Sequence, residues 1–337
     1  MNKFTEATNL LKAYYPENIH INLSPVHGYR SRVEFGYKNN FYTMYDEKKD
    51  VKFITNLAIA RSSIQSIMPV LLERINLSEL LKTKLFQINF RSNNQNHILG
   101  TLIYHKKLCC EIEKEINCLS VALGIDINLR SKNMFFSTCD GMLEDYVEQF
   151  GITLYQTDQS FYQPNHYHMP KMISKAINFL DKTEDLLELY CGSGTFTLPL
   201  SKYFTQVFAT ENNRQSIKCL SRSIKEHKIK NIKHSRLSAE EVAEAFKGRL
   251  FRRMNYEDIN DYNFSHVLVD PPRSGLTENV VDIIKRFKNI IYISCDYSTY
   301  VRDIKLLNNF EIKDIEIFDQ FPNTKHLEIV SLLTRIE

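Results

Sequence analysis

The sequence predicts an α/β protein in two domains, an α+β domain over residues 1–162 and a second domain over 163–337 built on a mostly parallel sheet that ends in an antiparallel hairpin. Three observations predict this. The length of 337 residues suits about two domains. The second half alternates short apolar runs with helical stretches, which implies crossover connections and a parallel sheet covered on both faces. The first half mixes strand-like segments with one longer helical region, and no repeat, low-complexity tract or Pro/Gly-rich linker interrupts either half.

In chain order, residues 33–37, 41–45, 86–90 and 98–104 are rich in aromatic and β-branched side chains, as half-buried strands are. Between them, residues 56–75 place Leu57, Ile64, Ile67, Met68, Leu71 and Leu72 on one helical stripe. From about Gln163 a helix is expected, followed by strands at 186–190, 207–210, 266–270 and 290–294 with helices between them. Residues 315–318 and 329–333 flank a polar turn and predict the terminal hairpin.

Hydrophobic residues at 43% and charged residues at 25% exclude disordered and fibrous classes. No apolar run approaches the ~18 to 20 residues of a membrane helix, and Met-Asn-Lys-Phe-Thr-Glu at the start lacks the features of a signal peptide, so a cytoplasmic protein with no membrane partner is expected. Net charge is +3, and residues 1–165 carry 18 basic against 17 acidic side chains, so any nucleic-acid surface must be a local patch. Seven cysteines without a C-x-x-C pair argue against disulfide, zinc and iron-sulfur frameworks, and no metal or cluster is expected.

Chemistry gathers at predicted strand ends. L-L-E-L-Y-C-G-S-G-T-F at 186–196 is a strand running into G-x-G and then a helix, and Glu211 ends the next strand. Glycines let the backbone approach a ligand, and a carboxylate about 20 residues on can hold ribose hydroxyls. The third glycine of the dinucleotide fingerprint and the Gly-Lys-Ser/Thr of a phosphate loop are both missing, so a ligand with ribose but no phosphate fits better, S-adenosylmethionine (SAM) foremost. The same residues also suit a plain strand-to-helix turn. Asp270 ends the following strand in V-D-P-P-R, where two prolines fix the direction of the loop. Cys295 ends the next in Y-I-S-C-D and should reach the same face, with Arg273 as a cation able to favour its thiolate. Most cysteines are small buried hydrophobes, and Cys191 is expected to pack under the glycine turn. Glu328 precedes the last strand, where it can return to the sheet's ligand edge, and His326 reads as structural or RNA-facing.

Together, S-F-Y-Q-P-N at 160–165, L-L-E-L-Y-C-G-S-G-T-F, V-D-P-P-R-S-G-L at 269–276, Y-I-S-C-D and F-D-Q-F-P-N-T-K-H-L-E at 318–328 closely resemble the RNA 5-methyluridine methyltransferases, within them the bacterial tRNA (uracil-5-)-methyltransferases acting at T-loop position 54. The first half joins the resemblance through S-P-V-H-G-Y-R-S-R-V-E-F at 24–35, K-L-F-Q-I at 84–88 and L-I-Y-H-K-K at 102–107. The resemblance implies a Rossmann-like SAM-dependent methyltransferase domain after an N-terminal α+β RNA-recognition domain. It implies SAM binding by Gln163, Tyr190, Thr195, Glu211 and Asp270, with Cys295 as nucleophile and Glu328 as base. The family carries Asn where Thr195 stands, and a hydroxyl can still donate or accept there.

The implied reaction explains the residue types. Carbon 5 of uracil is a weak nucleophile until a thiolate adds at carbon 6, and a base must then remove the carbon 5 proton. Arg273 suits the enolate oxygen, and Phe161, Arg30 and Arg32 are expected to contact RNA, whose loops are read by aromatic stacking and phosphate contacts. Lys106 and Lys107 beside Tyr104 offer similar parts. The expected partner is the T-arm and T-loop of tRNA, with other T-loop-like RNA as a further class and no obligate protein partner. The alternatives are the same chemistry on ribosomal RNA, whose enzymes often add a barrel and an iron-sulfur cluster, and a non-catalytic tRNA-binding or folding protein.

Overall fold

A computed structural model describes residues 2–46, 48–255 and 257–336. Two compact units form: one from Met1–Ser24, Glu148–Leu154 and Ser160–Glu337, the other from Pro25–Val147 and Tyr155–Gln159. The division is not the single boundary at 162/163 that the sequence suggests. The N-terminal segment belongs with the C-terminal part of the chain, for a reason its short apolar pattern conceals. Helix α1 (Lys3–Leu11) buries Ala7 and Leu11 in that unit's core, and strand β1 (His20–Asn22) pairs in parallel along the sheet edge, with His20 opposite Glu316 and Asn22 opposite Phe318.

The second unit carries β2 (Arg32–Lys38), β3 (Phe41–Tyr45), β4 (Val51–Ile54), α2 (Ser62–Leu77), α3 (Glu79–Lys82), β5 (Leu85–Ser92), β6 (Ile98–Tyr104), α4 (Cys110–Leu123), β7 (Asp126–Ser131) and β8 (Met134–Ser137). Its seven strands lie in the order β4-β3-β2-β5-β6-β7-β8. β6 and β7 run parallel because α4 returns the chain between them. Of the predicted stripe, Ile64, Met68, Leu71 and Leu72 are buried and belong to one core with Val33, Phe35, Ile88 and Phe90, joined by Ile75, whereas Leu57 and Ile67 are only partly buried. The helix nevertheless starts at Ser62 rather than at 56.

Next come β9 (Leu143–Val147), β10 (Ile152–Gln156), α5 (Met169–Asn178), β11 (Asp185–Leu189), α6 (Thr197–Leu200), β12 (Val207–Thr210), α7 (Arg214–Glu226), β13 (Ile232–Ser235), α8 (Ala239–Phe246), β14 (Phe264–Val269), α9 (Glu278–Ile284), β15 (Asn289–Ser294), α10 (Tyr297–Leu306), β16 (Phe310–Phe318) and β17 (Glu328–Arg335). The large sheet has the order β1-β16-β17-β15-β14-β11-β12-β13. Strands β11 to β15 are parallel, β17 runs antiparallel to both β15 and β16 as the predicted hairpin, and β1 lies beyond it at the edge. From β11 the chain steps outward to β12 and β13, then returns to β11's other side as β14. That reversal opens a crevice at the carboxyl ends of β11 and β14, the place where such sheets hold ligands.

Two local expectations are corrected. Residues 163–168 precede the helix, because Pro164 disfavours helix before it and Pro170 sits in the first turn of α5, where its missing N–H costs nothing. Strand β11 ends at Leu189, since Tyr190 turns into the left-handed region at φ 61°. Among the described residues, no helix is long and apolar enough to cross a membrane.

Candidate active site

The crevice is built by what each strand does where it stops. After β11, Tyr190, Gly192 and Gly194 all have positive φ, at 61°, 55° and 90°. For the non-glycine Tyr190 this costs on the order of 1–3 kcal/mol, a strain that the surrounding contacts must hold. Gly194 has no room for a side chain, because a Cβ there would lie 2.5 Å from Leu220 Cδ1. Glu211, just past β12, locks the turn from the side: its Oε2 accepts the Gly192 N–H at 3.1 Å and its Oε1 the Asn213 N–H at 2.6 Å. From above, Ser193 Oγ donates to the Phe161 carbonyl at 3.1 Å and ties down the segment that carries Gln163.

Asp270 follows β14, and the loop after it turns through a Gly275 N–H to Pro272 O bond of 2.8 Å. Buried Asp303 of α10 fastens this loop to β15, its Oδ2 accepting from the Leu276 N–H at 2.8 Å and from the Tyr292 hydroxyl at 2.6 Å. Cys295 lies between β15 and α10, whose first turn is capped by Asp296 accepting from the Ser298 and Thr299 amides. Glu328 opens β17 opposite Phe318 and is buried. The loop before it is held by Lys3 of α1, which donates to the Asp319 carboxylate and to the carbonyls of Phe321 and His326, the latter two at 2.9 Å.

These strand ends surround one cavity of about 490 Å³, lined by Phe161, Gln163, Tyr190, Gly192, Glu211, Asp270, Arg273, Cys295, Gln320 and Glu328 among others. The structure thus brings together nine of the residues that the sequence singles out, counting Gly192 and Phe161. Thr195 is buried in the turn and does not line the cavity. Arg30 and Arg32 belong to the other unit and do not line it either; Arg32 Nε donates to Glu34 Oε1 at 2.9 Å. Cys191 is buried at the turn, as expected.

Charge crowding sets the protonation states. Burial first, then the nearby Glu211 carboxylate, pushes Asp270 up to about 7. Burial and Asp270 push Glu328 well above the usual carboxylate range, against the pull of Arg273. Arg273 does favour the Cys295 thiolate, as expected, but it is outweighed. Burial, Glu328 and Asp270 raise the thiol to about 12, and the guanidinium only partly offsets them.

Four contributors escaped sequence reasoning, one of them Gln320, which lines the cavity from within the quoted F-D-Q-F-P motif. Lys3 and Asp303 act on the site from the far end of the chain and from a helix, so no local motif marks them. Glu188 sits inside the quoted glycine motif, fully buried, and burial drives its carboxyl up to about 8 although hydrogen bonding to Thr197 opposes this. Its position in an apolar strand was the available signal. Among the described residues no group of three or more His, Cys, Asp or Glu side chains is arranged to hold a metal ion.

Comparison with known proteins accords with this architecture. A solved tRNA (uracil-54, C5)-methyltransferase from Pyrococcus abyssi, in complex with S-adenosyl-L-homocysteine, has the same fold, with a TM-score of 0.77 and 19% identity over 98% of this chain and 83% of that one. The tRNA/tmRNA (uracil-C(5))-methyltransferase of Saccharophagus degradans is 39% identical over 96% of this chain and 92% of its own. That of Campylobacter lari is also 39% identical, over 95% and 94%. The family model for tRNA (uracil-5-)-methyltransferase matches residues 1–336. With glycine turn, carboxylates and thiol arranged at one sheet edge and sequence likeness running end to end, the chain belongs to the tRNA (uracil-5-)-methyltransferase family.

Proposed function

We propose that this protein methylates C5 of the uridine at position 54 in the T-loop of tRNA, using SAM as donor and acting in the cytoplasm. The observation that carries the proposal is the convergence of Cys295, Glu328, Asp270 and Glu211 on a single cavity. The charge balance of that cavity suits SAM: its lining holds three carboxyl groups, Glu211, Asp270 and Glu328, against the one guanidinium of Arg273. With Glu328 held toward its neutral form and Asp270 ionised only in part, the lining still offers a pyrophosphate no surplus of cations, while Asp270 and Glu211 can face a cationic sulfonium and ammonium. Glu211, steadied by two backbone amides, keeps lone pairs free for ribose hydroxyls. Gln163, Tyr190 and Asp270 would complete the cofactor's surroundings, with Thr195 supporting the turn from below.

When bound, SAM supplies an electrophilic methyl group. Cys295 Sγ, as thiolate, forms a bond to uracil C6, moving the ring's double-bond electrons toward C5 and O4. Arg273, at the cavity rim, donates to the enolate oxygen. Once C5 carries the methyl group, Glu328 takes the remaining C5 proton, the C5–C6 double bond reforms and the thiolate leaves. The target base has to leave its stack to reach this cavity, and Phe161, half exposed at the rim, offers it a stacking surface. The seven-stranded unit, with Arg30 and Arg32, would read the RNA outside the cavity.

The names of the curated relatives include tmRNA, which supports T-loop-like RNA as a second substrate class. The test is nucleoside analysis of an unmodified tRNA transcript incubated with SAM. 5-Methyluridine at the T-loop uridine is expected; its absence from both tRNA and tmRNA, with ribosomal RNA fragments modified instead, would overturn the assignment.

A further inference from the structure

A chain of amides crosses the cavity wall from Asp270 to Gln320. Above about pH 7, the value to which Asp270 is raised, its carboxylate is ionised and can only accept, so the Gln163 amide presents its nitrogen there, and Gln163 Nε2 lies 3.4 Å from Asp270 Oδ2. This turns Gln163 Oε1 toward Gln320, whose Nε2 donates to it at 2.7 Å. Gln320 Oε1 is then the end of the chain, buried and without a protein partner. The amide cannot simply flip, because that would set two carbonyl oxygens against each other. The backbone is equally fixed: the Gln320 N–H donates to Phe318 O at 2.8 Å, and its carbonyl accepts from Asn165 Nδ2 at 3.3 Å.

Gln320 is 1% exposed, yet it lines the same cavity as Cys295 and Glu328. A buried acceptor left without a donor is unfavourable, so a residue kept this way at a site wall is best satisfied by a ligand. Uracil carries one ring donor, N3–H, whereas N3 of cytosine is an acceptor. We infer that the Gln320 side-chain carbonyl accepts N3–H of the target uracil and thereby selects uridine over cytidine, a specificity role that rests on the proposed function above. A fixed acceptor facing the cytosine N3 lone pair would be repelled, and a site built for a donor rejects a ligand lacking it far more strongly than an apolar wall would.

The test measures binding at pH 8 of T-arm hairpin RNAs with uridine or cytidine at the target position, in a Cys295→Ala background so that no covalent complex forms. Binding of S-adenosylhomocysteine to the same proteins is measured in parallel. The protein with Gln320 intact should prefer uridine by at least about tenfold, and Gln320→Met should bring the two RNAs within about twofold, whatever S-adenosylhomocysteine affinity is lost with the Gln320–Gln163 bond. An unchanged uridine preference, or a loss confined to S-adenosylhomocysteine, would overturn the inference; the latter would make the oxygen a cofactor contact. Should Gln320→Met not fold, the intact site is tested with N3-methyluridine RNA, and binding equal to uridine RNA would overturn it. Failure to bind either RNA even with Gln320 present would count against the proposed function instead.

Discussion

At the scale of single residues, the site holds its protons too tightly for neutral pH. In the proposed mechanism Cys295 acts as a thiolate and Glu328 as a carboxylate, and burial has raised both groups. Each becomes more competent as pH rises, so the single-turnover methylation rate is expected to climb steadily from pH 6 to 9; a rate that peaks below pH 7 would contradict this assignment of states. Arg273 opposes the rise in both groups. Arg273→Met should therefore slow methylation by about 100-fold, the usual effect of losing one oxyanion donor, while leaving S-adenosylhomocysteine affinity unchanged in calorimetry. The identities of these residues were legible because each lies in a recognisable motif next to a strand end or start. Their protonation was not, since it depends on carboxylates brought together from β12, β14 and β17.

At the scale of elements, the glycine turn and the loop before β17 do the positioning. Gly194→Ala combines a φ of 90° with a 2.5 Å approach to Leu220; a loss of about 2–4 kcal/mol in chemical denaturation is expected. Lys3 binds the 319–326 loop by its ion pair with Asp319, both side chains about one-tenth exposed. Lys3→Met leaves that carboxylate buried without its cation and should cost about 3 kcal/mol. Adding Asp319→Asn should recover most of the stability but not the methylation rate, because the loop loses its tether. Strands such as residues 41–45, 98–104 and 207–210 could be read from the sequence since they are dense in aromatic and β-branched side chains. β1, β4 and β13 could not: at three to four residues, mostly exposed or mixed in burial, they are strands only because a neighbour pairs with them.

For the whole molecule, stability should respond to pH in two opposed ways. Glu188 and Asp270 bind protons more tightly folded than unfolded, at about 8 and about 7. The stability they lend is full below their unfolded range near 4 and is lost as pH rises through those values. His168 and His266, buried and lowered to about 4, act in the opposite sense: their contribution is present above about 6.5 and fades as pH falls toward 4. Glu188→Gln should accordingly raise the melting temperature at pH 8, by on the order of 2 kcal/mol in stability, and change it little at pH 5. The parallel sheet and its hairpin were legible from the alternation of runs. The membership of α1 and β1 in that sheet was not, because an edge strand and a nine-residue helix join it through contacts some 300 residues distant in sequence.

The central claim is that Cys295 adds to the uracil ring and that Glu328 completes the reaction. Its most direct test is mass spectrometry of Glu328→Gln protein incubated with SAM and T-arm RNA, then denatured and digested. A peptide containing Cys295 should be found bonded to the target nucleotide with one added methyl group, because the adduct forms but cannot lose its C5 proton. An adduct on another cysteine, or free 5-methyluridine at the rate of the unaltered protein, would contradict the account.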